Sequence, residues 1–150
     1  MAIPLRYGIV GLWFLTTAAC GGESLPADVA DYQTRCARMN RNPIARYEGD
    51  PHAGSKNVYA CNVDDAVLRA NARPFPDGTI IVKNSTKENA DYPWLVATAR
   101  KQGGTWKWDE YTRNFADEDF VRILASESVC TNCHRQAENA DWIFTAFTNR

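Results

Sequence analysis

Apolar and polar positions alternate in blocks along this chain. Thr79-Ile80-Ile81-Val82-Lys83-Asn84 is rich in β-branched residues and follows the turn-forming Pro74-Phe75-Pro76-Asp77-Gly78, so it predicts a strand. Val58 to Val63 and Trp94 to Ala99 suit two more strands. Thr105-Trp106-Lys107-Trp108-Asp109-Glu110-Tyr111 alternates aromatic with polar residues after Gly103-Gly104, which predicts a half-exposed strand behind a turn. Ser85 to Asp91 is polar and reads as a loop. Elsewhere the period changes. Val29, Tyr32, Cys36 and Met39 recur at three and four, predicting a helix over 29–39 that Asp28 can cap. Shorter helices are expected from Asp64 to Ala72 and from Asp117 to Leu124, with another from Arg135 to Thr145. The sum is an α+β fold: a small, mostly antiparallel sheet with flanking helices at both ends.

The first nineteen residues stand apart. Arg6 is their only charge, Ile9 to Leu15 is an apolar run, and Thr17-Ala18-Ala19 are small. This is the pattern of a secretory signal peptide, too short to remain as a spanning anchor. Cys20 follows the small residues and precedes Gly21-Gly22, as in a lipoprotein box, although Thr17 stands where such boxes usually carry Leu. Cys20 is therefore a lipidation candidate, which would tether the chain to a membrane without spanning it. Residues 20–27 read as a tether and 28–150 as one domain facing the periplasm.

Composition narrows the partners. The chain of 150 residues is 45% hydrophobic with a formal charge of −1, so it can bury a core and offers no basic face for nucleic acid. Export would put the five cysteines where oxidation persists. With Cys20 at the cleavage site and Cys130 and Cys133 in a motif, Cys36 and Cys61 remain. They either pair or stay as buried thiols; the compartment favours a disulfide, worth about 3 kcal/mol by loop closure.

The motif is Cys130-Thr131-Asn132-Cys133-His134. Residues three apart on a helical turn share a face, so both thiols can add to the vinyl groups on one haem edge while the next residue offers its imidazole to the iron. Covalent haem c is attached outside the cytoplasm, in agreement with the leader. A dithiol redox pair would sit beside a βαβ pattern, and zinc would need four ligands, whereas His52 is the one other histidine. After signal removal the sixth ligand of an electron carrier would have to be Met39 or His52. Met39 fits a packed helix face and His52 lies in a polar, solvent-exposed loop. The reading is five-coordinate iron, His134 its ligand, with one open face.

These segments, taken together, resemble the cytochrome P460 family, which includes the cytochromes c′-beta. The resemblance rests on Phe75-Pro76-Asp77-Gly78-Thr79-Ile80-Ile81-Val82-Lys83, Trp106-Lys107-Trp108, the haem motif and Asp141-Trp142-Ile143-Phe144-Thr145, over about residues 29 to 147. It implies a mostly antiparallel sheet in periplasmic homodimers, with His-ligated five-coordinate haem c. In the family's enzymes, which oxidise hydroxylamine, a lysine is cross-linked to the haem rim; the matching residue is Lys83. The c′-beta members bind nitric oxide and similar gases. The family's distal carboxylate is expected near Leu95-Val96-Ala97, where Val96 stands instead, and a family arginine is replaced by Lys56. Glu88 and Asp91 could fold back to supply a carboxylate, and Phe75 and Trp94 are candidate distal caps. Ser126 and Glu127 are placed to tune His134.

An apolar Val96 favours nitric oxide binding over catalysis. The alternative is a P460-type oxidoreductase acting on hydroxylamine or nitric oxide through Lys83 and a redox partner protein. A third reading, a six-coordinate electron carrier, requires Met39 or His52 on the iron.

Overall fold

The computed structural model describes residues 22–123 and 126–149. The segment predicted as a signal peptide, Cys20 and Leu124 lie outside the described residues. The fold is α+β. Six antiparallel strands run in chain order across one sheet: β1 (Ala37–Arg38), β2 (Ser55–Cys61), β3 (Ile80–Thr86), β4 (Pro93–Gln102), β5 (Thr105–Thr112) and β6 (Val121–Arg122). Helices α1 (Tyr32–Arg35), α2 (Asp65–Arg69) and α3 (Glu127–His134) flank it, and a 3-10 helix (Arg135–Ala140) follows α3.

Period-two alternation sends β3 side chains to two cores. Ile80 and Val82 join Val29, Tyr32, Cys36, Tyr59, Cys61 and Val96 on one face. Ile81 joins Met39, Val58, Ala60, Ala99, Trp106, Ile143 and Phe147 on the other. The N-terminal segment thus covers one face and the C-terminal segment the other, which is where Cys130, Cys133 and His134 lie. Gly103 and Gly104, with φ of 55° and 75°, supply the two left-handed residues that turn β4 into β5.

Several local predictions change, among them the loop expected from Ser85, since β3 runs on through Thr86. The helix predicted over 29–39 is only α1. Cys36 leaves it in extended conformation because it is bonded to Cys61, with Cα atoms 4.5 Å apart, and because Ala37 pairs with Ala60. Met39 therefore crosses to the opposite core. Asp28 does not cap; its carboxylate instead accepts from Arg100 at 2.5 and 2.8 Å.

The strand predicted over 58–63 begins at Ser55 and stops at Cys61, because Asn62 takes a left-handed φ of 56°. In place of a helix over 117–124, Val121 and Arg122 form an edge strand against Tyr111 and Thr112, held by Arg122 to Asp109 at 2.7 Å and to Glu23 at 3.0 Å. The helix predicted to continue to Thr145 ends as a 3-10 turn at Ala140, since Asp141 and Trp142 are left-handed. Among the described residues no helix is long and apolar enough to cross a membrane.

Candidate functional site

Helix α3 presents Cys130, Cys133 and His134 to a single cavity of about 310 Å³ above β3, β4 and β5. Both thiols are free. His134 packs 4.2 Å from the Trp108 ring and 5.1 Å from Phe144, and its Nδ1 lies 2.7 Å from the Trp142 carbonyl. A carbonyl only accepts, so Nδ1 carries the proton and Nε2 keeps its lone pair. This is how a histidine is prepared to ligate a metal through Nε2. Burial holds its pKa below the ordinary value, which also keeps it neutral.

The orienting carbonyl is itself held in place. Asp141 accepts from the Phe75 amide at 2.8 Å, Lys101 Nζ at 2.5 Å and Trp106 Nε1 at 3.3 Å. This node pins the left-handed Asp141-Trp142 turn to the sheet and fixes the Trp142 carbonyl beneath His134. Phe75 belongs to this anchor: it is buried and packs edge-on to Trp106 at 5.9 Å, away from the cavity lining. Ser126 and Glu127 do not contact His134; Ser126 Oγ meets Ser128 Oγ, and Glu127 lies 3.6 Å from exposed Lys107.

The floor follows from strand register. One row runs Ala60, Ile81, Ala99, Trp108, beneath His134; the next runs Val58, Lys83, Ala97, Glu110. Lys83 and Glu110 therefore flank Ala97 across adjacent strands, and both line the cavity. Burial lowers the Lys83 pKa from 10.5 to about 8, opposed by the nearby Asp50 and Glu110 carboxylates. Burial raises Glu110, opposed by Lys83.

Val96 does not line the cavity. It is fully buried in the opposite core, because Ala97, not Val96, shares the face of Lys83. The floor is thus not apolar at this point: its carboxylate comes from β5, where the Trp-Lys-Trp-Asp-Glu alternation already placed Glu110 on the face of Trp106 and Trp108. Glu88 and Asp91 are exposed and outside the lining.

The third wall is the loop before β2. His52 lines the cavity, contrary to the solvent-exposed position predicted for it. Burial drives its pKa to about 3, and its Nδ1 is buried without a hydrogen-bond partner. The loop is clamped on both sides. The His52 amide donates to Asp50 Oδ1 at 3.0 Å, and its carbonyl accepts from Ser85 Oγ at 2.6 Å. Trp94 Nε1 donates to the Ala53 carbonyl at 2.9 Å, which gives Trp94 a bracing role outside the lining. Buried Lys56 pairs with Asp50 and donates to the Gly54 carbonyl at 3.0 Å. At Gly54, whose φ is 125°, a Cβ would come within 2.4 Å of the Thr86 carbonyl, so only glycine lets the loop approach β3 this closely. Met39 is buried in the core away from the cavity.

A planar, largely apolar macrocycle suits these walls. Apolar Val129 and Phe144 line the cavity yet stay 64% and 55% exposed, a surface that such a group would cover. Among the described residues no group of three or more His, Cys, Asp or Glu side chains is placed to hold a bare metal ion. No protein-family model matches the chain, and no curated protein matches it.

Proposed function

We propose that the chain is an exported mono-haem c-type cytochrome of the cytochrome P460 kind, whose His134-ligated iron keeps one face open for a small ligand such as nitric oxide. The observation that carries this reading is the convergence of Cys130, Cys133 and a Trp142-oriented His134 on one cavity. Cys130 and Cys133 would hold haem covalently as thioethers, and His134 would supply a nitrogen ligand to its iron. Bound haem supplies ligand binding and one-electron chemistry at iron; the chain orients its ligand, excludes water and places ionisable groups.

A second reading, a P460-type oxidoreductase acting on hydroxylamine or nitric oxide, is favoured by Lys83 and Glu110. A lysine with a pKa of about 8 is partly unprotonated near neutrality and able to act as a nucleophile. Its bond to a haem carbon would replace one N–H and one C–H, a two-electron oxidation that requires an oxidant such as peroxide. Glu110, with its raised pKa, suits proton transfer to or from a bound substrate.

Absorption spectra of protein matured with the haem c machinery separate the readings. An ordinary high-spin spectrum that changes on adding nitric oxide to the ferrous form supports the first, and absence of change removes it. A broad, red-shifted Soret band that reverts in Lys83→Met supports the second, as does hydroxylamine turnover above that of free haem.

A further inference from the structure

We propose that His52 is the distal residue of this pocket, whose imidazole would hydrogen-bond a small ligand held there once haem is bound. The inference rests on the haem reading and adds a residue that neither the motif nor the resemblance supplies.

Register places the anchors of the two histidines apart, the Trp108 ring under His134 and the Ser85 hydroxyl on the His52 main chain. His134 packs on Trp108, in the row of Ile81 and Ala99. The His52 main chain is held by Ser85, on the same face four residues along β3 from Ile81. At about 3.4 Å per residue, these rows lie roughly 13 Å apart along the strands. The row of Lys83, Ala97 and Glu110 runs between these anchors, and both histidines line the same cavity as this ionisable floor.

The two histidines are prepared differently. His134 has a carbonyl that fixes its proton on Nδ1, as a permanent ligand requires. His52 has no such partner for its ring. What is fixed instead is its backbone, by Asp50 on one side and Ser85 on the other, with Lys56 neutralising Asp50 beneath. A clamped main chain carrying an unpartnered neutral ring is suited to meet a ligand that comes and goes.

The test compares wild type, His52→Leu and His52→Gln, each matured with haem. The clamps involve only main-chain atoms of residue 52, so they survive either substitution; equal covalent haem content and circular dichroism check this. The ferrous carbon monoxide complex reads distal hydrogen bonding through its infrared C–O stretch, and cyanide dissociation from ferric protein reads it as a rate. His52→Leu should move the stretch to higher frequency and speed cyanide loss about tenfold. His52→Gln should restore part of each.

An unchanged stretch and rate in His52→Leu would overturn the proposal while leaving the haem reading intact. A low-spin wild type that turns high-spin in His52→Leu would also overturn it, making His52 the sixth ligand. Absence of covalent haem in all three proteins would remove both the haem reading and this inference.

Discussion

Replacing Asp141 by alanine should unfold the anchor beneath His134 before it affects the rest of the sheet. The Asp141 carboxylate and the Lys101 ammonium are 2.5 Å apart, with only 9% and 4% of their side chains exposed. Removing one member of a buried pair costs about 3–5 kcal/mol, because the other charge remains desolvated. The Phe75 amide also loses its acceptor, a further 1–3 kcal/mol in isolation. The Lys101 ammonium keeps the Trp106 ring, 4.9 Å away, which offsets about 1 kcal/mol. These effects share one site and do not add, so the net loss is placed at about 3–5 kcal/mol.

Asp141→Asn retains an acceptor oxygen and should lose about half as much. Asp141→Asn combined with Lys101→Met removes both charges and keeps an acceptor for the Phe75 amide, so it should lose less than Asp141→Ala. Urea unfolding followed by far-ultraviolet circular dichroism gives each value from the midpoint. In matured protein, Asp141→Ala should also alter the iron–histidine stretch, since the Trp142 carbonyl is no longer fixed. A loss below about 1 kcal/mol, with that stretch unchanged, would refute the reasoning.

Three further outcomes are expected of the chain made without haem attachment. His52 titrates at about 3 in the fold and 6.5 unfolded, so the unfolded state takes up its proton first. Stability should fall between pH 6.5 and 3 by about 2–4 kcal/mol more in wild type than in His52→Leu, read by urea midpoints across pH. Lys83 titrates at about 8 in the fold against 10.5 unfolded, so stability should rise with pH across that window; Lys83→Met should remove this rise. Reducing Cys36–Cys61, which are separated by 25 residues, should cost about 3.5 kcal/mol in thermal or urea unfolding.

The sheet was legible because its strands carry their own signals: β-branched runs at Ile80–Val82, alternating aromatics from Trp106 to Tyr111, and glycines at the turns. The helix ends were not. Val29, Tyr32, Cys36 and Met39 keep helical spacing, yet a disulfide and an edge pairing, both long-range, pull Cys36 out of the helix. The site was half legible. Cys130, Cys133 and His134 announce themselves by local spacing, and Lys83 by its place on a strand.

Val96 and Ala97 could not be told apart without the register, and a shift of one residue exchanges the two faces of a strand. The alternation of β5 puts Glu110 on the face of Trp106 and Trp108, but its place in one row with Ala97 and Lys83 follows only once β3, β4 and β5 are aligned. His52 sits in a stretch with prolines and glycines that reads as a solvated loop. Its burial depends on Ser85, Trp94 and Lys56, each more than 3 residues away in sequence and brought together only by the fold.

The central claim is that Cys130, Cys133 and His134 hold one covalent haem. The most direct measurement is the mass of the mature protein under denaturing conditions, after expression with the haem c machinery, alongside its ferric and ferrous spectra. The account predicts one haem retained after unfolding, lost in Cys130→Ser with Cys133→Ser, and a high-spin spectrum that His134→Ala disrupts. A chain that matures with no haem mass, under conditions in which another c-type cytochrome acquires its own, would contradict it.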